Sequence, residues 1–258
     1  MLKDLKNKLL SDGFLHFNLK DIDVELFNEL RSVIPTNSQD LILRPILNQY
    51  YICKDLNILT HDFINQFDLK YPNLLKSYQK NHALELASQP IGSRRFLELR
   101  IDGNYNNLVN VKDYLSNLDG VKSQSWFQGQ IDLNYPNILN PIYKIYKLII
   151  SNFYALPEQY YDNLKRSGVG LTCFETNDFI INHRDGQNDG RYGALLLYLN
   201  DDWGQDDGGD IILENTTKVS PQFGNVVLFD FTKNNSLHEV IEPIKNKSRF
   251  ASLTFIEY

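Results

Sequence analysis

The sequence has few cysteines and no long apolar run. Its two cysteines, Cys53 and Cys173, do not form a Cys-x-x-Cys pair, and two thiols cannot build a disulfide framework. This usage is typical of a reducing compartment. The longest apolar runs, such as residues 148–150, are far too short to cross a bilayer. Residues 1–6 alternate apolar and charged side chains, unlike the apolar core of a signal peptide. We therefore expect a soluble, cytoplasmic protein.

An excess of positive charge is also missing. The chain carries 26 Lys and Arg residues against 32 Asp and Glu residues, for a net charge of −6. This balance argues against a general electrostatic attraction to nucleic acid or to an anionic membrane, and we expect neither as a partner. The sequence shows no internal repeat, linker or low-complexity tract. Its 258 residues, of which 42% are hydrophobic, suffice for one large core.

The first 165 residues predict a helix-rich part with early strands. Apolar residues at helical spacing, such as Leu5 and Leu9, alternate with short β-like runs, and Pro72 breaks a helical region. Asn140 and Pro141 are typical of a helix start. The predicted helices cover residues 3–11, 21–33, parts of 55–87, 111–118, 140–154 and 157–164. The predicted strands cover residues 13–17, 95–101 and 126–133.

After Gly168 the sequence consists of short β-rich runs separated by Gly, Asn and Asp. Many short strands joined by such turns favour a sandwich or barrel. The predicted strands are 169–174, 179–183, 192–199, 210–213, 225–229, 238–244 and 250–256. We expect a mainly β fold with α: one domain over 1–258, in which the helix-rich part (1–165) precedes and packs on a jelly-roll, or double-stranded β-helix, core (166–258).

A possible metal site combines His183 and Asp185 with the distant His238. On an extended segment, residues i and i+2 point to the same face, so His183 and Asp185 can face one ion. Two histidines and one carboxylate form the facial triad of non-haem Fe(II) oxygenases. The alternative is a polar pair on a surface loop, since His-x-Asp often arises by chance. The other three histidines stand alone and favour structural or solvated roles: His16, His61 and His82.

In this order the residues resemble the Fe(II)/2-oxoglutarate-dependent oxygenases, specifically the prolyl 4-hydroxylase-like branch. The similarity covers about residues 169–258 and extends beyond the metal ligands. The further segments that carry it are Tyr198-Leu199-Asn200-Asp201-Asp202-Trp203, Gly208-Gly209-Asp210-Ile211, Pro221, Asn225-Val226-Val227-Leu228-Phe229, His238-Glu239-Val240 and Lys247-Ser248-Arg249-Phe250.

The resemblance implies the roles of five residues. His183, Asp185 and His238 would be the iron ligands, with no catalytic residue beyond them. Arg249 would form a bidentate pair with the 5-carboxylate of 2-oxoglutarate, a geometry that lysine cannot match. Tyr198 would donate its hydroxyl to the same carboxylate; the alternative is a core tyrosine of a buried strand. The implied cofactors are Fe(II) and 2-oxoglutarate, with ascorbate as a candidate supporting reductant.

The implied reaction is hydroxylation of an unactivated C–H by O2, with release of succinate and CO2. Asp185 favours hydroxylation over halogenation, because the iron halogenases of this class lack a carboxylate there. A prolyl residue and a free amino acid or other small molecule both remain open as substrate. Arg184, Arg191 and Trp126 are candidate substrate contacts, against a solvated or packing role for each. Two other functions remain as alternatives: a cupin-type metal enzyme that does not use 2-oxoglutarate, and a non-catalytic jelly-roll binding protein.

Overall fold

A computed structural model describes most of the chain. The described residues are 2–34, 43–54, 60–72, 77–88, 96–101, 121–131, 136–154, 156, 160, 169–174, 180–185, 191–233, 237–241 and 247–257. The helices are α1 (Leu2–Asp12), α2 (Leu19–Ile22), α3 (Val24–Val33), α4 (His61–Lys70), α5 (Ser77–Ala87) and α6 (Pro136–Phe153). None of the helices in this part of the chain combines the length and apolar character that a membrane crossing needs.

The strands form two sheets with antiparallel pairing. They are β1 (Phe14–Asn18), β2 (Leu43–Lys54), β3 (Phe96–Ile101), β4 (Val121–Ile131), β5 (Val169–Phe174), β6 (Ile180–His183), β7 (Arg191–Tyr198), β8 (Ile211–Leu213), β9 (Thr217–Val219), β10 (Asn225–Asp230), β11 (His238–Val240) and β12 (Arg249–Glu257). The large sheet has the order β1-β10-β7-β12-β5-β4-β2-β3, and the small sheet has the order β6-β11-β8-β9.

Alternating side chains on β7 separate two cores. Leu195 and Leu197 belong to a cluster with the buried faces of α1, α3 and α6. Ala194 and Tyr198 point the other way, into a second cluster that includes Leu213 of the small sheet. This alternation is what a strand with a period of two produces when both of its faces are covered. The fold is a double-stranded β-helix with helices packed on the large sheet, as the sequence predicts.

Two predicted helices differ from those observed. The region predicted as one helix over 21–33 is divided at Asp23, whose carboxylate caps α3 by accepting from the Leu26 amide at 2.9 Å. Helix α6 begins at Pro136, so the predicted start at Asn140 is wrong. Pro141 lies inside the helix and cannot donate to the carbonyl of Asn137. Because Asn137 is exposed, water can satisfy that carbonyl and the helix tolerates the proline.

The pattern of short strands missed two elements. Strand β2 was not predicted, because its alternation is interrupted at Pro45, where the register with β4 shifts. Strand β9 has only three residues, too few to show a period. The strand predicted over 238–244 ends at Val240. The predicted helix 111–118 lies outside the described residues. So does the predicted helix 157–164, apart from Tyr160, which is helical.

Candidate functional site

The small sheet brings the predicted metal ligands together. His183 ends β6, His238 begins β11, and the two residues are register partners in this antiparallel pair. Asp185 follows His183 by two positions, and its Oδ2 lies 3.8 Å from Nε2 of His238. The His238 ring is buried and lies with its centroid 4.7 Å from that of Phe229 on β10. Two chain segments that are distant in sequence thus meet at one place.

The described atoms suit a divalent ion. An ion held at the roughly 2.0–2.2 Å typical of imidazole and carboxylate ligands to Zn²⁺ can join atoms up to about 4 Å apart, and Asp185 and His238 satisfy this limit. Among the side chains that the structure describes, no group of three His, Cys, Asp or Glu residues lies together. Asp185 and His238 belong to that set, whereas His183 is placed through its backbone in β6.

The large sheet carries the second half of the site. Arg249 begins β12 and Tyr198 ends the neighbouring strand β7. Nη2 of Arg249 donates to the hydroxyl oxygen of Tyr198 at 2.8 Å. The guanidinium carbon lies 4.8 Å from the ring centroids of both Tyr198 and Phe174, the latter being the register partner of Arg249 on β5. Arg249 is 1% exposed and Tyr198 is 0% exposed.

The buried Arg249 lacks a negative partner within the described part of the chain. No described carboxylate forms an ion pair with it, and its Nε has no hydrogen-bond partner there. A buried charge without a counterion is costly, and a carboxylate ligand would remove that cost. The fork of an arginine matches a planar carboxylate in two parallel hydrogen bonds. The hydrogen-bond donors of Arg249 therefore fit the carboxylate of a 2-oxo acid that lies at the opposite end from the keto group.

Tyr198 can add a third donor to the same place. Burial raises the pKa of its hydroxyl, and the nearby positive charge of Arg249 only partly offsets this effect. Tyr198 therefore keeps its proton at neutral pH. Its oxygen accepts from Arg249, so the proton is directed to a further acceptor. Tyr198 is also a residue of the inter-sheet core, so the packing role proposed as the alternative coexists with the polar one.

A buried asparagine next to this pair was not singled out from the sequence. Asn200, at 0% exposure, accepts from the Phe250 amide at 2.7 Å and donates to the carbonyls of Phe250 and Pro221 at 3.0 and 2.8 Å. Asn200 thus fixes the backbone of the residue after Arg249. The Tyr-Leu-Asn segment was the available signal, but sequence alone gives no reason to look for a backbone contact 50 positions away.

The three candidate substrate contacts lie apart. Arg184 lies between His183 and Asp185 in sequence, and its Nη2 is 3.8 Å from Oε2 of Glu214. The Arg191 guanidinium covers the Phe255 ring at 3.8 Å from its centroid. Trp126 is placed by its backbone on β4, opposite Gln49 of β2. Both arginines therefore have partners within the protein, and their roles toward a substrate remain predictions.

Residues 169–256 match the family profile described as the 2OG-Fe(II) oxygenase superfamily. This segment of the chain is therefore similar to the 2OG-Fe(II) oxygenase superfamily. The matched segment, about a third of the chain, runs from β5 to β12 and contains both halves of the site. The match supports the expectation of a 2-oxoglutarate-dependent dioxygenase, and the superfamily implies Fe(II) and 2-oxoglutarate as cofactors. No curated protein matches the chain.

Two solved structures of prolyl hydroxylases are similar to this chain at low sequence identity. A prolyl hydroxylase from Trichoplax adhaerens, in complex with a peptide fragment of the hypoxia inducible factor oxygen degradation domain, is 16% identical. The match covers 99% of this chain and 89% of that one, with a TM-score of 0.51. A Pseudomonas putida prolyl-4-hydroxylase is 14% identical over 100% of both chains, with a TM-score of 0.47. At 16% identity the likeness to the Trichoplax adhaerens enzyme shows the fold alone.

Proposed function

We propose that this protein is a 2-oxoglutarate-dependent dioxygenase that hydroxylates an unactivated C–H of a prolyl residue or of a free amino acid. In this proposal His183, Asp185 and His238 hold Fe(II), and Arg249 and Tyr198 bind the 5-carboxylate of 2-oxoglutarate. The observation that carries the proposal is the buried Arg249. Its charge has no counterion among the described residues, and it lies on the strand next to Tyr198.

The chain's own residues prepare the site in distinct ways. His238 and Asp185 would present an imidazole nitrogen and a carboxylate oxygen to one ion. Arg249 and the protonated Tyr198 fix the far end of the cosubstrate and so its orientation toward the metal end. Phe229, packed on the His238 ring, helps to exclude water from that end. Bound Fe(II) would supply O2 activation coupled to oxidative decarboxylation of the 2-oxo acid to succinate and CO2.

A cupin-type metal enzyme without a 2-oxo acid is the weaker candidate. It would share the metal residues, but it would have no use for a buried arginine beside a tyrosine hydroxyl. A non-catalytic jelly-roll protein would also gain nothing from keeping that charge in the core, because an apolar residue of similar volume is often equally or more stabilising. The clamp formed by Arg249 and Tyr198 therefore favours the 2-oxoglutarate-dependent reaction.

A single-domain organisation is part of the proposal. Buried residues of the helix-rich part, such as Leu30 and Ile142, share one apolar cluster with Leu171 and Leu195 of the jelly roll. Strands β2, β3 and β4 of the first part also extend the large sheet. This shared core supports one folding unit over 1–258, with residues 1–165 as the support of the core over 166–258.

An anaerobic titration tests the cofactor chemistry. Fe(II) and then 2-oxoglutarate are added to the apoprotein, and the visible absorbance is followed beside Asp185→Ala and Arg249→Ala. We expect a weak charge-transfer band that needs both additions and is lost in both variants. Iron binding without the band would favour the cupin-type alternative. Absence of iron binding would mean that the three ligands do not converge, and the proposal would fail.

A product assay tests the substrate class. The loaded enzyme is incubated with proline-containing peptides and, separately, with free amino acids, and succinate and the substrate mass are measured. We expect succinate in proportion to a substrate that gains one oxygen atom. The fold shared with the Trichoplax adhaerens peptide complex supports peptides as the first panel. Succinate formation that no substrate increases would show only uncoupled turnover and would contradict both named substrates.

A further inference from the structure

A glutamate in an unusual backbone conformation lies beside both metal-bearing segments. Strands β8 and β9 are joined by a tight turn in which Thr216 donates to the Leu213 carbonyl at 3.0 Å. Its two central residues, Glu214 and Asn215, have φ values of 48° and 59°. Two successive left-handed residues are the mark of a type I′ hairpin, where asparagine and glycine are usual. Asparagine tolerates this region, whereas glutamate has no local compensation for it.

The Glu214 carboxylate completes the hydrogen bonding of the residue before His238. The Glu214 amide donates to the Leu237 carbonyl at 2.8 Å, which continues the pairing of β8 with β11 by one residue. In return, the Leu237 amide donates to Oε1 of Glu214 at 2.7 Å. In a regular antiparallel pair the Leu237 amide would donate to a backbone carbonyl. Here the Glu214 carboxylate takes the place of that carbonyl. A charged acceptor makes this hydrogen bond stronger than a neutral one.

The same carboxylate reaches the segment that carries the other two ligands. Oε2 of Glu214 lies 3.8 Å from Nη2 of Arg184, the residue between His183 and Asp185. This contact is partly exposed, at 38% for Arg184 and 25% for Glu214, so it contributes less than the hydrogen bond to Leu237. One side chain therefore contacts the sequence neighbours of all three proposed iron ligands.

We propose that Glu214 is a positioning residue for the metal centre, holding the start of β11 and the end of β6 at the spacing that Fe(II) needs. This inference rests on the proposed function of His183, Asp185 and His238. Strands β6 and β11 have only four and three residues, so their own ladders fix the ligands weakly. Glu214 supplies a link from the adjacent hairpin. In this left-handed conformation the Glu214 carboxylate accepts from the Leu237 amide, a contact that can offset the strain.

Three variants distinguish an effect of the Glu214 carboxylate on metal binding from an effect of the turn conformation. Glu214→Gly removes the carboxylate and favours the left-handed backbone. Glu214→Gln keeps an oxygen acceptor for Leu237 but loses the charge toward Arg184. Asn215→Gly is the matched control, because it changes the other left-handed residue of the same turn. The measurements are the Fe(II) dissociation constant of the anaerobic apoprotein, the 2-oxoglutarate KM, and hydrogen exchange of the Leu237 amide without metal.

We expect Glu214→Gly to weaken Fe(II) binding about 10–100-fold, as is typical when a residue that orients metal ligands is lost. Its 2-oxoglutarate KM at saturating iron should stay near wild type, and the Leu237 amide should exchange faster in the apoprotein. Glu214→Gln should recover most of the iron affinity. Asn215→Gly should bind iron as wild type does.

Two results would overturn the role of Glu214 while leaving the proposed function intact. One is wild-type iron affinity in Glu214→Gly, together with an intact charge-transfer band. The other is an equal loss in Asn215→Gly, which would assign the effect to the turn. If Glu214→Gly does not fold, Glu214→Asn takes its place, because asparagine tolerates the left-handed backbone and its side chain is one methylene shorter; wild-type iron affinity in that variant would overturn the role of Glu214. A wild-type protein that binds no iron would overturn the proposed function, and the role of Glu214 with it.

Discussion

The two ends of the site are built in opposite ways. The metal end lies on β6 and β11, strands of four and three residues in the small sheet, and the Asp185 side chain is 30% exposed. The clamp end lies on β7 and β12, strands of eight and nine residues inside the large sheet, and both of its side chains are buried. Long neighbouring strands fix the clamp, whereas the metal end depends on local contacts and on the ion.

This difference predicts different effects of substitutions at the two ends of the site. Loss of one of the three proposed protein ligands should therefore abolish metal binding. A residue lost from the clamp end leaves the sheet in place, so the effect should appear as weaker cosubstrate binding. The clamp also holds a buried charge that has no counterion among the described residues, and such a charge should destabilise the protein until an anion binds.

The largest effect is expected from removal of a metal ligand. His238→Ala and Asp185→Ala should each abolish the iron-dependent band and reduce succinate formation to the level measured without enzyme. His16→Ala is the matched control, because His16 is an exposed histidine on β1 and lies outside the site. Iron titration and a succinate assay provide the measurement. Retained iron affinity in either ligand variant would show that the metal end is not the three-residue site proposed.

The next largest effect is expected at Arg249. Arg249→Lys should raise the 2-oxoglutarate KM roughly 10–100-fold, since a hydrogen bond to a charged group contributes about 1.5–3 kcal/mol. Iron binding without cosubstrate should be unchanged. Arg31→Lys is the control: Arg31 also lies over an aromatic ring and pairs with Asp201, but it is half-exposed at the surface.

The same position tests the cost of the buried charge. Arg249→Met, which has a similar volume without the charge, should unfold at a temperature equal to or above that of wild type when no 2-oxoglutarate is present. Wild type should gain thermal stability from the cosubstrate, and the variant should not. A large loss of stability in the unliganded Arg249→Met protein would show that Arg249 has a structural partner, which would weaken the contrast between the two ends.

The outcome for the site shows what a sequence can encode. His183, Asp185, His238, Tyr198 and Arg249 are chemically distinctive, and the resemblance named all five. The structure brings Asp185 near His238, and Arg249 near Tyr198. The jelly roll was predictable for a related reason, because its strands alternate with a period of two and end at turn residues.

The supporting residues were not predictable in this way. Asn200 and Glu214 act through backbone groups of Phe250 and Leu237, and a backbone amide has no sequence signature. Strand β2 was missed for a similar reason. It pairs with β3 and β4, which are distant in sequence, and Pro45 interrupts its alternation of side chains. Sequence reasoning finds the groups that perform chemistry more readily than those that hold them in place.

A smaller effect is expected from Tyr198→Phe. The change removes one hydroxyl from the clamp and leaves the ring between the sheets, so packing should be preserved. A hydrogen bond to a carboxylate contributes about 1.5 kcal/mol at the low end of its range, and Arg249 still holds the cosubstrate, so we expect a rise of roughly 10-fold in the 2-oxoglutarate KM. An unchanged KM would reduce Tyr198 to the core tyrosine of the alternative interpretation.

The raised pKa of Tyr198 predicts how stability and cosubstrate binding depend on pH. Burial raises this pKa above its usual value of 10, so the folded protein retains the proton where the unfolded chain releases it. The corresponding stability is present below pH 10 and is lost as the pH rises through the folded-state pKa. Cosubstrate KM of the wild type should therefore show no tyrosine titration up to about pH 9.5. A rise in KM centred well below pH 10 would contradict the raised pKa.

The smallest effect is expected at Lys247, two residues before Arg249. Its ammonium donates to Oδ2 of buried Asp207 at 2.7 Å and to the Asp202 carbonyl at 2.6 Å, which ties the start of β12 to the loop after β7. Lys247→Met should lower stability by roughly 1 kcal/mol, or about 2–4 °C in Tm, because Asp207 loses a partner. Lys144→Met, which removes an exposed pair with Glu29, is the control without a measurable effect.

The cosubstrate kinetics of Lys247→Met then decide how the clamp is held. If the large sheet fixes Arg249 through its pairing with β5 and β7, the 2-oxoglutarate KM should change by no more than about threefold, since less than 1 kcal/mol is transmitted. A KM increase as large as that of Arg249→Lys would mean that the loop holding Asp207 positions the guanidinium. The clamp end would then depend on local contacts as much as the metal end does.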